Sequence, residues 1–403
     1  MIRIFGSLFF ATATAQLGLG IISPILPLYA TTFAASATEI GLVFTAFSVS
    51  RALLGPFVGR LSDRIGRRPL ILGGLLLYAG VSVLYASAGS LWMLGVFRFI
   101  HGIASVMVTP IAQAYVGDLT PKGREGRYLN AFYSSQFIGM AIGPLLGGLI
   151  GGTWSYAMAF YAMGGLSVLS LALVYFTVPV DQTARERRVA KPRAITPLRE
   201  VVRSDAVKAM LVYFVTRGFW RQSFNAFYPL YAVVAFSVDE ASVGFVLSTY
   251  MFAEGLLQIP FGFLADRFPR IRQIIVGSVF APLVLLAVPY VGSTWAVALL
   301  TFGMGAFSAL GRSSLVAIRT ELGRTHGMAT LAGLQGSAFA VGQAFGPALS
   351  GAVVDLVGLV AVFPFGSAIG CVGTALVLGW LRRWIRRDPA APAMARPRLS
   401  ISS

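Results

Sequence analysis

Six charged residues interrupt stretches that are otherwise apolar: Arg51, Arg98, Arg217, Arg221, Arg312 and Glu254. A charge at the centre of a helix in hydrocarbon costs ~2.5–3.5 kcal/mol or more unless it is paired or hydrated, so it persists where it binds, relays or pairs. Glu254 is the one carboxylate deep in such a stretch, which makes it the candidate proton carrier. The rival chemistry is a permanent ion pair with Arg51 or Arg221. Arg217 and Arg312 stand near the ends of their stretches, where snorkelling to water is an even alternative. Polar residues at helical spacing accompany the charges: Arg217, Arg221 and Asn225; Tyr250, Glu254 and Gln258; Gln335, Phe339 and Gln343; with Thr12 and Gln16. Such stripes suit a cavity wall, and the alternative is hydrogen-bonded glue between helices. Five arginines against one glutamate favour an anionic, zwitterionic or neutral amphiphilic ligand over a cation.

Other chemistry is poorly supplied. A single cysteine, Cys371, and two histidines, His101 and His326, offer no disulfide framework and no ordinary zinc site. No metal and no cofactor is expected. G-x-S-x-G and H-E-x-x-H are absent, so a membrane-embedded enzyme is a remote alternative.

The elements that must position these residues are long apolar helices. Of 403 residues, 56% are hydrophobic and 12% charged, and the mean hydropathy is +0.76. Water-soluble domains carry about 25% charged residues. Runs long enough to span a bilayer, about 20 residues each, fall near 5–30, 40–60, 69–88, 91–116, 128–151, 156–179, 208–236, 241–263, 272–291, 295–318, 328–354 and 359–381. An all-α polytopic protein with twelve spans follows. The first run reaches Thr31 through Pro24 and Pro27, longer than a signal-peptide core. Two prolines three apart predict a broken helix there.

The net charge of +17 would suggest nucleic acid in a soluble chain. Its distribution says otherwise. Lys and Arg cluster at 60–68, 122–127, 185–208, 267–272, 319–324 and beyond 382, while the alternate loops carry none. This is the positive-inside rhythm, with both termini cytoplasmic. The partners are therefore a lipid bilayer, a small-molecule solute and protons, with no nucleic acid.

The chain also repeats itself. An offset of 203 superposes Asp63 on Asp266, Arg64 on Arg267, Trp92 on Trp295, Gly143 on Gly346 and Pro144 on Pro347, and it sets Arg51 opposite Glu254. Two six-helix bundles are expected, with the site at their interface. The organisation is 1–180 for the first bundle, 181–207 for a basic linker, 208–385 for the second and 386–403 for a Pro/Ala/Ser-rich tail.

Three motifs complete the reading. Gly59-Arg60-Leu61-Ser62-Asp63-Arg64-Ile65-Gly66-Arg67-Arg68 sets four arginines and an aspartate between two apolar runs, which reads as a tight turn in water. Asp63 and Arg67 are four apart and suited to pair, and Asp118 ends the fourth run on the same side. Gly139, Gly143, Gly147 and Gly148 with Pro144 recur around Gly346 and Pro347. Small residues every fourth position let helix backbones touch, and proline bends the helix. Leu17-Gly18 precedes Pro24-Ile25-Leu26-Pro27 by five residues. Gly18-Leu19-Gly20 mimics half a dinucleotide fingerprint, but without a strand before it the match carries nothing.

The first motif resembles the loop between helices 2 and 3 of the major facilitator superfamily. The glycine–proline motif is similar to a signature of its proton-driven exporters, and the first span to its twelve-span drug:proton antiporter branch. The resemblance implies a latch in which Gly59, Asp63, Arg64, Gly66, Arg67 and Asp118 gate alternating access. It associates Arg98, in an R-x-x-x-G pattern with Gly102, with proton coupling beside Glu254. It also places helices 1, 4, 7 and 10 around a central cavity. The candidate cavity residues are Gln16, Arg51, His101, Arg221, Asn225, Tyr250 and Gln335. The packing residues are Pro24, Pro27, Gly139, Gly143, Pro144, Gly147, Gly346 and Pro347. The function so implied is proton-coupled export of a small amphiphilic solute or drug by a monomer in the cell (inner) membrane. A proton-coupled importer of an organic anion or sugar is the alternative.

Overall fold

The computed structural model describes residues 2–120, 125–179 and 198–387. Within them lie twelve long helices: α1 Ile2–Thr31, α2 Ala37–Ile65, α3 Arg67–Ala86, α4 Leu91–Leu119, α5 Glu125–Thr153, α6 Tyr156–Thr177, α7 Asp205–Phe236, α8 Glu240–Arg267, α9 Arg270–Ala287, α10 Thr294–His326, α11 Met328–Val357 and α12 Val362–Arg387. A helical turn, Leu198–Arg203, precedes α7. Residues 181–197 of the expected linker and the tail from 388 lie outside the described residues.

Eleven of the long helices are apolar enough to cross a bilayer by length and composition. The exception is α7. It carries Lys208, Arg217 and Arg221, and these lower its hydropathy. The helix whose hydropathy falls short is therefore one that holds candidate site residues. Large apolar side chains such as Leu53, Phe57, Leu76 and Leu299 are exposed, as a lipid-facing surface requires. Trp92, Trp154 and Trp295 stand 85%, 71% and 76% exposed beside the uncharged loops, where amphipathic indoles settle at a membrane interface.

Two sequence expectations are corrected here. The predicted turn at 59–69 is mostly helix: α2 runs to Ile65 and α3 starts at Arg67. Only Gly66 breaks the path, at φ 94°, a conformation that costs a glycine little and other residues much. Likewise α1 passes through Pro24 and Pro27 unbroken. Neighbouring helices and local adjustment accommodate the backbone groups that such prolines free in membrane helices.

The chain packs as two compact units. One comprises Met1–Lys191 with Asn225–Ser248, the other Pro192–Phe224 with Thr249–Ser403. These units divide within α7 and α8. A Cβ at Gly148 would strike the Glu240 carbonyl, and one at Gly244 the Pro144 carbonyl, so α5 and the start of α8 touch backbone to backbone. Next to Pro144 of α5, the Leu145 N–H donates to Ser248 Oγ at 2.9 Å. The Tyr156 hydroxyl donates to Glu240 Oε1, also at 2.9 Å.

In the first unit, α1 packs on α5 and α6, α4 on α2 and α3, and α3 on α6. The α1–α5 seam explains the four-residue glycine spacing. A Cβ at Gly143 would lie 2.6 Å from Gly20 Cα, and Cβ atoms at Gly139 and Gly147 would meet the Ala13 and Ile21 carbonyls. In the second unit Gly342 and Gly346 bring α11 against Val215 and Phe219 of α7 in the same way. The repeat in sequence is thus a repeat in packing.

Candidate functional site

The second unit gathers its charges around Glu254. The carboxylate is 2% exposed and lies near the middle of α8. Its Oε1 accepts from Arg217 Nη2 of α7 and, at 3.0 Å, from Arg312 Nη1 of α10. Its Oε2 has no hydrogen-bond partner. Arg217 also donates through Nε to Ser308 Oγ at 3.0 Å, and its guanidinium lies 5.3 Å from the Phe339 ring. Arg312 also reaches Gln258 Oε1 at 3.3 Å. The expected partners, Arg51 and Arg221, are not the ones found. Arg51 belongs to the other unit, with its guanidinium 5.4 Å from the Phe47 ring. Arg221 turns to Met251 Sδ at 2.9 Å and to the rings of Tyr250 and Phe339. Arg217 and Arg312 do not snorkel, because a buried carboxylate stands within their reach.

The α7, α8 and α11 stripes therefore converge in part. Arg217, Arg221, Glu254 and Phe339 share one cluster, with Tyr250 buried beside Trp220. Gln335 does not join it and accepts from Arg319 Nη1 at 2.6 Å. Asn225 lies on the part of α7 that belongs to the first unit. Sequence reasoning missed Ser308 and Met251, whose types carry no signal in apolar helices. A cavity of about 20 Å³, room for one water, adjoins Arg217 between α7, α9, α10 and α12 and is lined in part by Thr216, Ser278, Ser308 and Thr374.

The first unit has a contrasting centre. Arg98 of α4 is 3% exposed, with its guanidinium 5.0 Å from the rings of both Phe44 and Phe47. Gly102 makes this possible: its Cβ would lie 2.6 Å from the Phe47 carbonyl and would strike Ser50, so α2 closes on α4 only with glycine there. One turn along α4 from Arg98, the fully buried His101 meets Tyr78, Phe47 and Tyr85 edge to face, and its Nδ1 lies 3.4 Å from the Tyr85 hydroxyl. Gln16 sits at the α1–α5 seam beside Gly139.

At the basic ends of the helices, Arg67 pairs with Asp118 at 2.8 Å. The alternative partner, Asp63, is exposed in the last turn of α2. Gly66 interrupts the helix between Asp63 and Arg67, so the i, i+4 geometry is lost. Arg68 donates to the Tyr175 carbonyl at 2.7 Å. In the second unit Arg270 pairs with Glu321 at 2.9 Å. The 203 offset carries Arg67 to Arg270 and Asp118 to Glu321. The second copy of the motif lacks the later glycine but keeps the ion pair. No group of three His, Cys, Asp or Glu suited to a metal occurs among the described residues.

Comparison with known proteins agrees with this geometry. The model of the Major Facilitator Superfamily matches residues 8–235 and 209–401. An uncharacterised MFS-type transporter of Methanocaldococcus jannaschii is 26% identical over 90% of this chain and 94% of its own length. The quinolone resistance protein NorA of Staphylococcus aureus is 24% identical over 87% of this chain and 89% of its own. Among solved structures, a bacterial homologue of the human lysosomal transporter Spinster, inward-facing and occupied, superposes with a TM-score of 0.83 at 14% identity, covering 95% of this chain and 97% of that one. Twelve long helices, two units with matching glycine seams and matching ion pairs, and family agreement along nearly the whole length lead to one conclusion: the chain belongs to the Major Facilitator Superfamily of multi-pass membrane transporters.

Proposed function

We propose that this protein is a proton-coupled secondary transporter that exports a small amphiphilic solute by antiport through alternating access. It works as a monomer in the cell (inner) membrane with both termini cytoplasmic. The observation that carries the reading is Glu254, the one carboxylate among the described residues that lies mid-helix, with its charge met by two arginines at one oxygen and its other oxygen unpartnered. A proton arriving at Oε2 neutralises the carboxylate and loosens Arg217 and Arg312. Loss of the proton restores the cluster. Arg312 is 24% exposed, so the cluster is not sealed on its α10 side. The likeness to a quinolone resistance protein supports export. Asp118–Arg67 and Glu321–Arg270 are the expected latches at the basic ends.

One observation favours the alternative of proton-coupled organic-anion uptake. Arg51, Arg98, Arg217, Arg221 and Arg312 outnumber Glu254, which suits an anionic solute. Proteoliposomes of known orientation with an imposed pH gradient separate the two. Antiport moves solute against the proton flow, symport moves it with the flow, and solute movement indifferent to the gradient would refute both.

A further inference from the structure

The two units treat their buried cations differently. In the second, the carboxylate of Glu254 answers Arg217 and Arg312. In the first, Arg98 has no such partner. Its Nε and Nη1 are buried without a hydrogen-bond partner, as is His101 Nε2. The described carboxylates on the helices around it stand at helix ends. Glu39 is held in the capping box of α2 by Ser36, Asp63 ends α2, Asp118 is bound to Arg67, and α3 has none. Asp118 lies about 30 Å along α4 from Arg98, at 1.5 Å per residue.

The Phe44 and Phe47 faces offset part of the desolvation of Arg98. The rest of the charge desolvation and two unmade N–H bonds remain. Packing supplies π faces and hydroxyl groups around this cation but no counter-charge, and Gly102 is spent on holding the aromatic walls against it.

We propose that Arg98 and His101 form a binding site for a compact monovalent anion, built into the first unit between α2, α3 and α4. The anion accepts from Arg98 Nε and Nη1. With the Tyr85 hydroxyl donating to His101 Nδ1, the proton of the imidazole sits on Nε2, which becomes the third donor. Arg51 adds positive potential from α2 without being needed as a ligand. The same chemistry fits an inorganic halide in exchange with the solution and the carboxylate of a transported solute. Only the second identity rests on the transport reading.

Thermal unfolding of the purified protein tests this without any transport. Sodium gluconate, whose anion is polyhydroxylated and strongly hydrated, serves as the reference and is exchanged for sodium chloride, bromide or benzoate at constant ionic strength. The proposal predicts a saturable rise in the unfolding temperature, because a ligand that binds only the folded state stabilises it by mass action. A rise with halide marks an inorganic anion, and a rise confined to benzoate marks a solute headgroup. Arg98→Lys should weaken the apparent affinity about tenfold or more, since an ammonium lacks the planar donor pair, and Arg98→Met should abolish the effect. No saturable rise with any of the three salts, or an undiminished rise in Arg98→Met, would overturn the proposal. Should Arg98→Met not fold, the wild-type titration and Arg98→Lys still decide. If the anion effect appears but no solute moves in proteoliposomes, the transport reading fails and the site stands.

Discussion

Replacing Glu254 by Gln tests the second unit's charge cluster in a way that geometry makes quantitative. Glutamine keeps the size and one hydrogen-bond acceptor but withdraws the negative charge from two buried guanidiniums. Arg217 and Glu254 are 5% and 3% exposed as side chains. Removing one member of such a buried pair typically costs about 3–5 kcal/mol, most of it the penalty of the charge left behind. Arg312, at 24% exposure, is less desolvated by the protein and should contribute the smaller share. The decisive form is a double-mutant cycle with Arg217→Gln, read by reversible denaturation in micelles. Glu254→Gln should destabilise strongly, because it strands two guanidiniums, and Arg217→Gln by less, because Arg312 still answers Glu254. The double variant should be less destabilised than the sum by ~1–3 kcal/mol, the range for residues in direct contact. Additivity within ~0.5 kcal/mol would show that the pair does not interact, and the cluster as described would be wrong.

Further expectations follow from other parts of the fold. Gly143→Ala should destabilise by ~1–3 kcal/mol, since its methyl would lie 2.6 Å from Gly20 Cα. Gly165→Ala, with nothing within 4 Å, should be neutral or gain ~0.5–1 kcal/mol; equal effects in thermal unfolding would refute the seam. Asp118→Asn and Glu321→Gln should both speed cysteine labelling near the basic helix ends if the ion pairs hold those ends shut, and an unchanged labelling rate in both would count against a latch. Asp239 accepts hydrogen bonds from the Ser242 side chain and N–H, which hold its carboxyl below the usual range. Its folded pKa is depressed, so its stabilisation is present above the ordinary carboxylate value and lost as pH falls through the lower folded one. Asp239→Ala should therefore cost ~1 kcal/mol as a lost helix cap at neutral pH and nothing in strong acid, which stability measured at the two pH values checks.

Much of the fold was legible in the sequence because hydrocarbon imposes so few solutions. Twelve apolar runs and a basic-loop rhythm sufficed for the twelve helices, and the 203 offset anticipated the matching glycine seams. The helix ends were less legible. Helical hydrogen bonding continues past the apolar runs into charged sequence, so Gly59–Ile65 reads as a loop by composition and folds as the end of α2. For the site, single residues were visible and partnerships were not. Arg217, Arg221, Arg312 and Glu254 stood out as charges in apolar surroundings, but which arginine meets Glu254 depends on how α7, α8 and α10 cross. The Arg270–Glu321 pair was within reach, since the same offset maps it from Arg67 and Asp118, but the missing glycine of the second copy hid it. Gly18 and Gly20, read as a chance fingerprint, are contact points for Met163 and Gly143.

The claim that proton movement through Glu254 drives transport is tested most directly by a pH-sensitive dye sealed in proteoliposomes, with amphiphilic anions, zwitterions and cations added in turn. The account predicts that a transported solute evokes a change in lumen pH with the wild-type protein, and that Glu254→Gln loses this change while the folded protein still reconstitutes. A solute that crosses with no change in lumen pH, or an undiminished change in Glu254→Gln, would contradict it.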